Sequence, residues 1–204
     1  IPDTIDQFYA DTMKGGHNLN DPALVRTLTT HAKDAVAWLV SLGADLNTVG
    51  RAGGAKYPRA HRPTDGSAIG PEVIRVLWKA AKDRKMDVRT QTRATEIIMK
   101  DGRVAGVKAT NKDGKVYTID AKAVVLATGG FGANQDMLVK YQPKLKGYAT
   151  TNQPGATGDG IILAEHAGAA LVDMKQIQAH PTAAPDGTLI SESVRGDGGI
   201  LINA

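Results

Sequence analysis

A hydroxyl, a carboxylate and a guanidinium follow closely on one another at Ser191, Glu192 and Arg195, a short way after the imidazole of His180 in Gln178-Ala179-His180-Pro181-Thr182. These are the side chains that acid–base chemistry on a polar substrate uses. Glu192 and Arg195 are spaced i,i+3, so a helical turn would place both on one face, where the commonest outcome is a surface ion pair worth a few tenths of a kcal/mol. A single histidine in a turn is, by residue type alone, more often solvated than functional. A second group is built on glycine: Ala127-Thr128-Gly129-Gly130 ends an apolar run, and Gly155-Ala156-Thr157-Gly158-Asp159-Gly160 opens another. Glycines at a helix start let the backbone approach a ligand, and the free N–H groups there favour phosphate or another electron-rich group. Taken singly, the first motif is more often an ordinary tight turn, and Asp159 reads as a helix cap.

The elements that must position these residues can be read in order. Asn20-Asp21-Pro22 is a helix start, and the spacing of Leu24, Val25, Leu28, Ala32, Ala35, Ala37, Trp38 and Leu39 predicts a helix that Gly43 stops. Residues 1–20 show no strong periodicity. Residues 46–70 read as a long connection in which His61, Arg62 and Thr64 are tied down by polar contacts. A second helix is predicted from Pro71 to about Arg84. Strands are expected over Met86–Thr92, Ala94–Met99, Arg103–Thr110 and Val116–Ile119, with Asp101-Gly102 and Asp113-Gly114 as turns of an antiparallel meander. The continuous apolar run Ala121–Thr128 suits a strand buried on both faces of a parallel sheet, whose C-terminal end is where such sheets bind ligands. Gln135–Tyr141 and Ile161–Gly168 are further helix candidates, and Ala170–Met174 a short strand. Val124, Val125, Trp38 and Trp78 are expected in the core.

With 42% hydrophobic residues, 23 glycines and two each of Phe and Trp in 204 residues, the composition is that of a glycine-rich α/β protein, with no internal repeat. No run approaches 18 consecutive apolar residues, which argues against a membrane-spanning helix. The net charge of +4 is scattered among acids without a basic, aromatic-interleaved stripe, which argues against nucleic acid, while a small positive excess suits an anionic small substrate. The absence of cysteine excludes disulfides, thiolate metal ligands and thiol catalysis in this stretch. No basic and apolar leader is visible at Ile1.

In order along the chain, Lys14-Gly15-Gly16, Asp21-Pro22, Gly43-Ala44, His61-Arg62-Pro63-Thr64, Ala127-Thr128-Gly129-Gly130-Phe131, Pro154-Gly155-Ala156-Thr157-Gly158-Asp159-Gly160, Gln178-Ala179-His180-Pro181-Thr182 and Glu192-Ser193-Val194-Arg195-Gly196 resemble the flavoprotein of soluble fumarate reductases. That is the flavocytochrome c type, related to succinate dehydrogenase flavoprotein subunits and L-aspartate oxidase. The resemblance covers essentially all the residues. The family's Gly-x-Gly-x-x-Gly turn and its later active-site residues do not occur, so the chain reads as an internal piece of a larger flavoprotein.

The resemblance implies an α/β fold: a Rossmann-like parallel sheet that binds FAD, with an antiparallel β-meander, over residues 1–174, and the beginning of an α+β capping domain over residues 175–204. It implies FAD as cofactor, held by Ala94, Ala127, Thr128, Gly129, Thr157, Gly158 and Asp159, with Ala94 meeting the adenine through its main chain. His180, Ser191 and Glu192 would bind a dicarboxylate. Glu192 and Arg195 would relay protons to a catalytic arginine outside this stretch. The implied reaction is reduction of an alkene dicarboxylate, fumarate to succinate, by hydride from flavin N5, as in anaerobic respiration. Electrons would come from a haem or FMN module or a redox protein, in the bacterial periplasm in preference to the cytoplasm. Reductases of other enoates, of urocanate or methacrylate type, and a non-catalytic flavin-binding fragment are the competing readings.

Overall fold

The computed structural model describes residues 3–52, 55–184, 188–192, 194, 198–200 and 202. They form two compact units, Ile1–Val88 with Ser191–Ala204, and Arg89–Ile190. The fold class is mixed α/β, and every strand pair among the described residues is antiparallel. No helix among them is long and apolar enough to cross a membrane.

The first unit opens with α1 (Ile5–Gly15), which the lack of periodicity hid. Its signal is in the cap: Thr4 accepts the Gln7 N–H at its hydroxyl. Next, α2 (Pro22–Ser41) begins as the sequence predicts, with Asp21 accepting from the N–H groups of Ala23 and Leu24. It ends at Gly43, whose φ of +92° lets Ala44 N–H return to the Leu39 carbonyl. The long connection contains a short antiparallel pair, β1 (Thr48–Gly50) and β2 (Ala60–Arg62). Its polar ties are visible: His61 Nδ1 lies 2.9 Å from the Leu46 carbonyl, and Thr64 donates to Asp45 from both its N–H and its hydroxyl. Arg59 donates to Asp3 and Asp11 and stacks on Phe8, tying β2 to α1. Helix α3 (Ile69–Asp83) packs Val76 and Leu77 on Ala44, Leu46, Val36, Leu39 and Leu42, the small apolar core of this unit.

The second unit holds the expected meander: β3 (Thr92–Lys100), β4 (Arg103–Asn111) and β5 (Val116–Asp120), in that order. Asp101 and Gly102 both have positive φ, 50° and 74°, the type I′ turn that Asp-Gly favours. The second reversal is longer than Asp113-Gly114 alone, because the Asn111 side-chain oxygen accepts from the N–H groups of Asp113 and Lys115. Residues 86–91 are not strand, and β3 starts only at Thr92. Helix α4 (Gln135–Tyr141) has the predicted bounds, a short 3₁₀ turn covers Pro143–Leu145, and α5 (Asp159–His166) follows the glycine loop. Ala170–Met174 forms no strand.

The main departure is residues 121–128, which make no strand. The Ala121 N–H to Ala105 carbonyl bond is the last rung of the meander, and no described strand runs beside the apolar residues that follow. A buried parallel strand takes its ladder from neighbours on both sides, and without them this run lies exposed, Val125 at 89%. The expectation of core positions also fails at Trp38 and Trp78, which are 55% and 41% exposed.

Candidate functional site

The two glycine motifs meet. Gly158 donates its N–H to the Gly130 carbonyl at 3.1 Å, Ala133 N–H donates to the Ala156 carbonyl, and the Asn134 side chain donates to the Thr157 carbonyl. Gly158 has φ +78°, and a Cβ there would lie 2.5 Å from Met137 Sδ; one on Gly160 would lie 1.9 Å from Thr128 Oγ1. Glycine at 158 and 160 is thus what lets the start of α5 sit against Thr128 and Phe131. No side chain caps that helix start.

Beside it opens a cleft of about 730 Å³. Ala94 enters it from β3, Thr128 from the glycine turn, and Thr157 and Asp159 from the glycine loop, with Thr110, Asn111 and Leu163 completing the wall. Within it Asp159 is doubly held: Thr157 Oγ1 donates to Oδ1 at 2.9 Å and Arg93 Nε to Oδ2 at 2.8 Å. Arg93 is the main cause of a carboxyl held below its ordinary range, with Thr157 helping and burial opposing. Ala127 and Gly129 are exposed neighbours of Thr128 and do not line the cleft. The sequence reading missed Arg93, since a cation at the second position of a strand carries no local pattern that marks it.

His180 lies elsewhere in the same unit, on a pocket of about 130 Å³ walled by Tyr148, Thr150, Thr151, Asn152 and Gln178. This pocket and the cleft have no lining residue in common. The imidazole is fixed by Thr182: Nδ1 lies 3.1 Å from the Thr182 carbonyl and 3.3 Å from its N–H. Thr182 is itself buried and donates its hydroxyl to the Ile190 carbonyl at 2.9 Å. Ser191 and Glu192 belong to the other unit, where Val194 N–H donates to the Ser191 carbonyl. Arg195 lies outside the described residues.

The donor set of the cleft suits a dinucleotide. A carboxylate with acceptor capacity left over, hydroxyls of Thr128 and Thr157, main chain at Ala94 and an uncapped helix start are what ribose hydroxyls, an adenine edge and phosphates require. The family model described as FAD binding domain matches residues 1–204. A fumarate reductase (cytochrome) of Shewanella frigidimarina is 49% identical over 205 residues, taking in all of this chain and 36% of that protein. A urocanate reductase of Eggerthella lenta is 37% identical over 188 residues, 89% of this chain and 31% of that protein. The solved open conformation of a flavocytochrome c3 fumarate reductase superposes with a TM-score of 0.89 at 44% identity, over 95% of this chain and 35% of that one. The chain therefore spans about a third of the length of these relatives.

Proposed function

Because the chain belongs to the FAD binding domain family, we propose that it serves FAD-dependent reduction of an unsaturated dicarboxylate, fumarate to succinate. The observation that carries the reading is the convergence of Ala94, Thr128, Thr157 and Asp159, from three separate stretches, on one cleft. FAD, when bound there, supplies the hydride. Asp159, Thr157 and Thr128 would hold it by hydrogen bonds and Ala94 by its main chain.

His180 would bind one substrate carboxylate. With Nδ1 engaged by Thr182, Nε2 is the ring nitrogen that reaches a ligand, and the ring cannot swing without breaking those contacts. Ser191 and Glu192 would add a hydroxyl and a carboxylate, and Glu192 with Arg195 would resupply protons to an arginine acid, which its permanent charge makes necessary. Residues 175–204 would begin the capping domain, and residues 121–128 would become a strand of the parallel sheet beside neighbours supplied by the whole protein. Reducing equivalents would arrive from a haem or FMN module or a redox protein.

The urocanate reductase among the relatives supports a second substrate, since His180 and the cleft do not by themselves separate one enoate from another. A panel of fumarate, urocanate and methacrylate with reduced viologen, on the protein as the cell makes it, decides the matter. Fumarate turnover is expected, with KM raised at least tenfold in His180→Ala, the scale of a lost charge-assisted hydrogen bond. No turnover of fumarate overturns the assignment.

A further inference from the structure

The cleft has one feature that the glycine motifs do not account for. Arg93 and Asp159 are the only charged residues among those described as lining it, and they are paired across 66 positions of sequence. Resting on the cofactor reading above, we propose that Arg93 is a positioning residue of the FAD site, which fixes the Asp159 carboxylate in the orientation that accepts hydrogen bonds from the cofactor.

The geometry supports this in three ways. A carboxylate offers about four lone-pair sites, and Thr157 and Arg93 take one on each oxygen, so the group is oriented and still has capacity for a ligand. Second, the pair is poorly placed to be a mere staple between β3 and α5. The Arg93 side chain is 72% exposed and that of Asp159 29%, and ion pairs open to water add little to stability. Third, Arg93 is anchored in the sheet: its backbone pairs with Thr110 just before the register irregularity between Ala94 and Glu96, and from there its side chain reaches Asp159 at the start of α5. A ligand bearing a diphosphate would be repelled by a bare carboxylate, and the guanidinium removes that repulsion without removing the acceptor.

The test is FAD affinity of the apoprotein, prepared from the protein as the cell makes it, followed by flavin fluorescence across the acid-to-neutral range. Arg93→Gln should weaken binding about tenfold at neutral pH, the effect of one charge-assisted contact. Its affinity should also begin to fall at a higher pH than in the parent, because Asp159 without the guanidinium regains its proton closer to the ordinary carboxylate range. Arg93→Lys should recover most of the loss, and adding Arg93→Gln to Asp159→Asn should cost nothing further. Unchanged affinity and pH profile in Arg93→Gln, with a loss in Asp159→Asn, overturns the role of Arg93 alone. Unchanged affinity in both variants overturns the cleft reading with it.

Discussion

Glu72, at the first turn of α3, accepts the Asp45 N–H at 2.7 Å and a two-pronged contact from Arg75 at 2.6 and 2.7 Å. Arg75 first, then the Asp45 amide, lowers its carboxyl from 4.5 to about 2. A carboxyl depressed in the folded state stabilises fully above its unfolded pKa and loses that contribution as pH falls through the folded one. The melting temperature of Glu72→Gln should therefore lie below the parent's by a constant margin above about pH 5, and the margin should close as pH approaches about 2. Gly160 makes a steric prediction. Alanine there brings a Cβ to 1.9 Å from Thr128 Oγ1 and 2.9 Å from its Cβ, an overpacking worth about 1–3 kcal/mol. Thr128→Ala in the same chain should restore part of that loss, because only the hydroxyl and methyl are removed; thermal unfolding of the single and double variants measures it.

At the scale of elements, Thr4→Ala should cost about 1 kcal/mol, the usual value of an N-cap, and speed hydrogen exchange in the first turn of α1 while leaving α2 unchanged. That cap also shows what can be read from a sequence. Helix α2 is legible because its start is marked by Asp21, which accepts from the turn that follows. The β3–β4 reversal is legible because Asp101-Gly102 tolerates two successive positive φ values. Periodicity alone passes over α1, and β1 and β2 are three residues each, too short for a pattern to repeat. Residues 121–128 fail for another reason: their composition records the burial they are suited to, while a strand needs a partner to bond with. At the cleft, Asp159, Thr157 and Thr128 stand in recognisable glycine motifs; Arg93 comes into view only when β3 and α5 are brought together.

For the molecule as a whole, the exposed run Ala121–Thr128 has the composition of an aggregating segment, β-prone, apolar and carrying a single charge at Lys122. The 204-residue chain made alone should self-associate, and Val125→Asp should raise its soluble fraction in a sedimentation assay. In the protein as the cell makes it the same change should destabilise, if the run there pairs as a buried strand. A different freedom follows from the bonds that join Gly158 to Gly130 and Ala133 to Ala156. They cinch the chain at the neck of a long excursion, and doubling the length of such an excursion costs only about 0.6 kcal/mol. Tyr148, Thr150, Thr151 and Asn152, which wall the His180 pocket, hang on that excursion, whereas the cleft around Asp159 lies at the neck. Lineages could thus lengthen, shorten or rewrite the excursion, and the wall of the His180 pocket with it, while the cleft at the neck keeps its form.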